Sequence, residues 1–138
     1  QCIVASIDAA REDDGTYRCY THGGSRATEL EAVAWARECK DRGAGEILLT
    51  SIDQDGARTG YELELTRAVS DTVPVPVIAS GGAGEASHLR DAFSEAHASA
   101  ALVAGILHDR VTTVGALKEA LTGWGIPVRP TTTTGATP

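Results

Sequence analysis

Apolar residues gather in four short runs rich in β-branched side chains: Cys2–Ile7, Glu46–Ile52, Val75–Ser80 and Ala100–Leu107. Runs of this length bounded by Gly, Pro and Asp read as strands. Between them the period changes. In Glu85–Ala96 the apolar positions Ala86, Leu89, Ala92, Phe93 and Ala96 recur every three or four residues; Val114, Leu117 and Leu121 do the same, and Leu30, Val33 and Ala34 begin a similar stripe. That spacing puts them on one face of a helix. Near-continuous apolar strands alternating with amphipathic helices predict a parallel sheet covered by helices and buried on both faces, since each parallel strand needs a long crossover to return. The fold class is α/β.

Three segments break the pattern. Between Asp8 and Thr28 a polar insert, Glu12-Asp13-Asp14-Gly15, leads into the alternating Tyr17–His22 and Gly23-Gly24, which predicts a hairpin-like excursion after the first strand. Asp71–Pro76 carries two prolines and is expected to stop one helix before the next strand starts. Pro130–Pro138, with its threonine run, has no apolar periodicity and is expected to be disordered, leaving 1–129 as the folded domain.

Size and charge narrow the classes. A chain of 138 residues can hold one core but falls well short of the roughly 250 residues of a closed (β/α)8 barrel. It contains no methionine and opens directly in a strand-like run, so a piece of a larger domain is expected. A net charge of −7 without a local Lys/Arg cluster argues against a nucleic-acid partner. No apolar run is long enough to cross a bilayer and Gln1–Asp8 lacks a basic flank, so no membrane partner and a cytoplasmic location are expected. Cys2, Cys19 and Cys39 form no CxxC pair, which suits reduced thiols better than disulfides or zinc.

Polar residues and glycines collect where each apolar run ends: Asp8, then Asp53-Gln54-Asp55-Gly56, then Ser80-Gly81-Gly82-Ala83-Gly84, then Gly105 and His108. In a parallel barrel these strand ends share one face, where the active site is built. Gly81–Gly84 can present bare N–H groups at the start of a helix near Glu85, an arrangement suited to phosphate, or form a tight turn without a ligand. It is not a dinucleotide fingerprint, because Ser87 stands where the third glycine would fall. Asp8 suits a general acid or base at a pocket mouth, and equally an N-cap or turn aspartate. Asp53, Asp55 and Gly56 hint at a calcium loop, but Ala57 occupies a ligand position, so a substrate-orienting turn fits better. Thr50 either points into the barrel or bonds to backbone. His22, His88, His97 and His108 share no metal spacing, so surface or supporting roles are expected.

Taken in order, IDAAR, GAGEILLTSIDQDGARTGY, PVIASGGAG and GIPVR resemble the second half of the cyclase subunit of imidazole glycerol phosphate synthase, over about Gln1 to Arg129. The resemblance implies a (βα)4 half of a (β/α)8 phosphate-binding TIM-type barrel. It implies an enzyme of histidine biosynthesis that uses ammonia from a glutaminase partner. Its substrate is a bisphosphorylated formimino-aminoimidazole carboxamide ribonucleotide, cleaved and cyclised to imidazole glycerol phosphate and an aminoimidazole carboxamide ribonucleotide. No metal or organic cofactor is implied. By the same resemblance Asp8 is one of two catalytic aspartates. Thr50, Asp55 and Gly56 lie at substrate-binding positions, Ser80, Gly82 and Gly84 in a phosphate loop, Ala104 and Gly105 in a second one, and Glu46 at the ammonia entrance. Two positions depart from the family: Ala10 replaces a lysine and Gly105 a phosphate-binding serine.

By the same resemblance the other catalytic aspartate is expected in a first half that these 138 residues do not match. A half barrel exposes two sheet edges and an apolar inner face, to be covered by the N-terminal half, by a second copy or by aggregation, so self-association and little activity are expected of the chain alone. A non-catalytic half-barrel that binds phosphate, and the related phosphoribosyl isomerase of the pathway, are the alternatives.

Overall fold

The computed structural model describes residues 3–130. Six strands form one sheet: β1 (Val4–Arg11), β2 (Tyr17–Thr21), β3 (Arg26–Glu31), β4 (Glu46–Ser51), β5 (Val77–Ser80) and β6 (Ala100–Ala101). Five helices accompany them: α1 (Ala32–Asp41), α2 (Leu63–Ser70), α3 (Ala86–Ser94), α4 (Gly105–His108) and α5 (Val114–Gly123). The spatial order is β3-β2-β1-β4-β5-β6, with β1, β4, β5 and β6 parallel and β2 and β3 antiparallel. Each parallel strand lies beside the next one in the chain, and the order never reverses. That is the sequential winding of a (β/α) barrel, distinct from a doubly wound sheet.

Alternation along the strands decides which side meets the helices. Ile7 and Ala9 of β1, Ile47 and Leu49 of β4, and Val77 and Ala79 of β5 are all buried. They pack against Ala32 and Ala36 of α1, Leu65 and Val69 of α2, and, further along the sheet, Leu89, Ala92, Leu117 and Leu121 of α3 and α5. Each large aliphatic side chain so buried contributes about 1.5–3 kcal/mol. The opposite face carries Val4, Ser6, Asp8, Leu48, Thr50, Ile78 and Ser80, all partly or fully exposed. The helices thus cover one face only: the apolar pattern marked both faces for burial and is corrected, whereas the half-barrel resemblance implied an inner face left open. The side chains of the open face are those a closed barrel would turn inward.

Helix limits follow local chemistry. Glu31 caps α1, its carboxylate accepting from Val33 N–H at 3.0 Å and Ala34 N–H at 2.7 Å. Thr113 Oγ1 does the same for α5, accepting from Ala116 N–H at 3.1 Å. The Asp71–Pro76 segment separates α2 from β5 as its prolines predict. No helix among the described residues is long and apolar enough to cross a membrane.

Several features differ from the sequence pattern, among them Leu30, which lies in β3 and not on the helical stripe with Val33. The hairpin after the first strand is present, but it joins the same sheet and lengthens it. Asp8–Arg11 pair with Tyr17–Tyr20, so β1 continues past Asp8. Asp8 is therefore a mid-strand residue, which removes the N-cap and turn alternatives. The hairpin also covers part of an edge expected to be open; Val4–Ile7 pair with β4 alone among the described residues. The third strand begins at Val77, after Pro76, whose carbonyl still accepts from Ile47 N–H at 2.9 Å. The run Ala100–Leu107 is a two-residue strand followed by the helical turn α4, which buries Ile106. Gly105 is the first residue of that helix and not part of a strand. Beyond Pro130 the threonine-rich tail lies outside the described residues, as does Cys2.

Candidate active site

The C-terminal ends of the parallel strands bring Asp8, Thr50 and Ser80 into one row. Asp8 is the register partner of Thr50, and Thr50 of Ser80, on β1, β4 and β5. Neighbours in such a row lie about 4.8 Å apart. All three are half-buried on the open face, so a hydroxyl stands on the sheet between a carboxylate and a second hydroxyl. Val4 and Glu46 are partners at the opposite ends of the same strands. Glu46 is thus about 13 Å from Thr50 along β4, at four residues of strand rise.

Beyond the row, a cavity of about 260 Å³ is lined by Asp55 and Gly56, by Ser80–Ala83, by Ala104 and Gly105, and by Arg58 and Leu102. Its two principal walls are interlocked. Gly60 N–H donates to Gly82 O at 2.9 Å. A Cβ on Gly82 would stand 2.0 Å from Gly60 O, and one on Gly84 2.1 Å from Arg58 O. Only glycine permits this approach, and Gly82 also has a φ of +102°. The glycine run therefore has a packing role against the 51–60 loop as well as a binding role.

The same run has free donors. Among the described residues no carbonyl or side chain accepts from the N–H groups of Gly81, Gly82 or Ala83. Gly84 differs: its N–H donates to His88 Nδ1 at 3.0 Å, which fixes the imidazole proton on Nε2. Gly84, expected to hold phosphate, thus has its amide engaged within the protein, and three donors remain for a ligand. The His88 ring also lies 3.6 Å from the Cβ position of Gly60, bracing both loops from behind.

The remaining contacts fix the loop after β4. Asp55 N–H donates to Ser51 O at 3.0 Å, and Arg11 N–H donates to Asp53 Oδ2 at 2.8 Å, so Asp53 ties the loop to β1 while Asp55 faces the cavity. Tyr61 is buried, which pushes its phenol well above the ordinary value of 10.0, and its O–H donates to Leu102 O at 2.8 Å. That bond joins the loop after β4 to the end of β6. Arg58 pairs with Asp109 at the end of α4. Among the described residues no group of three or more His, Cys, Asp or Glu is arranged to hold a metal.

The structure thus gathers Asp55, Gly56, Ser80, Gly82, Ala104 and Gly105 at one cavity, with Thr50 and Asp8 in the adjoining row and Glu46 at the far end of the sheet. Arg58, Tyr61 and Asp109 were not singled out in the sequence, and His88 was assigned only a surface or supporting role. His88 follows the glycine run by one helical turn, and Arg58 and Tyr61 lie two and five residues after Gly56. Position gave a signal for these three, but no motif did. Asp109 is visible only through the pairing.

The profile for the family described as "Histidine biosynthesis protein" matches residues 1–113. The chain is 69% identical over 129 residues, 94% of its length, to "Imidazole glycerol phosphate synthase subunit HisF" of Myxococcus xanthus. It is 56% identical over 130 residues to the protein of the same name from Geobacillus thermodenitrificans, and 55% to that of Geobacillus kaustophilus. It covers 51% of the first relative and 52% of the other two, so it spans about half the length of the curated relatives it matches. With a sequential parallel α/β sheet and glycine-lined strand ends, the chain belongs to the histidine biosynthesis protein family.

Proposed function

We propose that this chain is the C-terminal half of an imidazole glycerol phosphate synthase cyclase barrel, supplying one catalytic aspartate and one phosphate site. The row Asp8–Thr50–Ser80 beside the glycine-lined cavity is the observation that carries the proposal. Asp8 moves protons at the substrate as general acid or base. Thr50 and the Asp55-Gly56 turn orient the substrate. The Ser80 hydroxyl and the N–H groups of Gly81–Ala83 hold one phosphate, with the backbone at Ala104-Gly105 closing the cradle. Gly84 serves by packing. Ammonia from a glutaminase subunit enters past Glu46 and travels along the inner face toward Asp8. The second aspartate and second phosphate site come from the N-terminal half, so turnover requires both halves.

The test is to combine the chain with a polypeptide supplying the N-terminal half and assay ammonia-dependent formation of imidazole glycerol phosphate. Turnover by the mixture and not by either part supports the proposal. Isomerase turnover in place of cyclase turnover would assign the chain to the related phosphoribosyl isomerase.

A second possibility, a non-catalytic half-barrel that self-associates, is favoured by one feature. Val4 is 48% exposed on a strand segment paired on one side only. A dimer by light scattering that binds phosphate, with no turnover after addition of the N-terminal half, would select it.

A further inference from the structure

Among the described residues Arg58 is the one cationic side chain lining the cavity. A phosphate monoester brings close to two negative charges at neutral pH, into a chain of net charge −7 and beside Asp55. Amide donors carry only partial charge, so the cradle has strong directional bonds and little neutralisation.

The backbone and side chain of Arg58 are both held against the cradle. Its φ of 59° is in the left-handed region, uncommon for a residue with a long side chain and a mark of a position fixed by its surroundings. Its carbonyl is seated against Gly84, closer than any Cβ there would permit. Thr59 Oγ1 donates to Gln54 Oε1 at 2.8 Å, which braces the turn. The guanidinium lies over Gly105, with Nη2 and Nε at 3.5 and 3.7 Å from the Cβ position of that glycine. Asp109, whose N–H donates to Gly105 O at 2.9 Å, holds it there through the ion pair. The Arg58 and Asp109 side chains are 42% and 51% exposed, and a pair so exposed is weak. Guanidinium–phosphate hydrogen bonds, charge-assisted on both sides and often bidentate, are stronger.

We propose that Arg58 is a phosphate-binding residue of this site, with its guanidinium over Gly105 and Asp109 as the positioning residue that holds it there. This deepens the cradle assignment made above and rests on it. Arg58 supplies the full charge that the amides of Gly81–Ala83 lack, at the point where Gly105 has no side chain to offer.

The experiment is calorimetric titration of the chain with glycerol phosphate at two salt concentrations, using Arg58→Gln and Arg58→Gly. The glycine variant removes the cation while relaxing the left-handed backbone, so it keeps the test valid if Arg58→Gln folds poorly. Both variants are expected to bind about tenfold or more weakly, with a flatter salt dependence, because a charge-assisted contact is removed. Binding unchanged in both variants would overturn the role of Arg58 and leave the cradle standing. Weaker binding with an undiminished salt dependence would assign the effect to loop packing and also overturn it. No binding by the unsubstituted chain would overturn the cradle, and the role of Arg58 with it.

Discussion

Gly82 shows how one residue serves both packing and binding. Its N–H is available to a ligand while its carbonyl accepts from Gly60, and its missing side chain lets the two loops meet. Gly82→Ala is expected to destabilise the fold by roughly 1–3 kcal/mol, from the collision with Gly60 O and the positive φ. Urea denaturation measures this. An unchanged midpoint would show that the loops part without cost. Away from the site, His97 Nδ1 stands 2.7 Å from Asp71 Oδ1, and this hydrogen bond, with the nearby His97 and Arg67 charges, holds the Asp71 carboxyl below its ordinary 3.8. The folded state favours the ionised carboxylate. The stabilisation is therefore complete above the unfolded value and lost as pH falls through the lower folded one. His97→Ala is expected to move the Asp71 titration up toward 3.8 by NMR. An unmoved titration would remove His97 as the cause.

Among elements, α2 depends most plainly on a few buried positions: Leu65 and Val69 fill the space between the sheet and α1. Leu65→Ala is expected to cost about 2–5 kcal/mol through lost burial and a residual cavity. Thermal or urea unfolding reads this, and a loss below about 1 kcal/mol would mean that the helix repacks. The strands β1, β4 and β5 were legible because each is an apolar run ended by polar residues or glycine. The hairpin was legible from its alternation and paired glycines. The limits of β6 and α4 were not, because a continuous apolar run has no period and reads equally as strand or buried helix. Nor was the continuation of β1 through Asp8, which depends on pairing with Tyr17–Tyr20, a contact made by the hairpin and not by local preference. The open face could not be read from the pattern, since Leu48 and Ile78 are as apolar as Leu49 and Val77 and composition marks both faces for burial; only the half-barrel resemblance implied it.

For the molecule as a whole, most of the candidate site was legible because one barrel end collects the residues that follow each strand. Asp8, Asp55, Ser80 and Gly105 are far apart in sequence yet belong to adjoining strand ends. The role of Arg58 and the particular contacts of His88 were not legible, since both arise from two loops packing together. On the proposed assignment, the open face and the half-paired β1 receive the other half of a barrel, and the row Asp8–Thr50–Ser80 becomes the wall of a pocket when that face is covered. The most direct measurement is therefore steady-state turnover of the barrel reconstituted with its N-terminal half, comparing Asp8 with Asp8→Asn. The substituted barrel is expected to keep its affinity for a phosphorylated substrate analogue and to lose about 100-fold or more in kcat, the range of a positioned acid–base group. Full kcat in the Asp8→Asn barrel would contradict the account, leaving the chain a phosphate-binding half without a catalytic residue of its own.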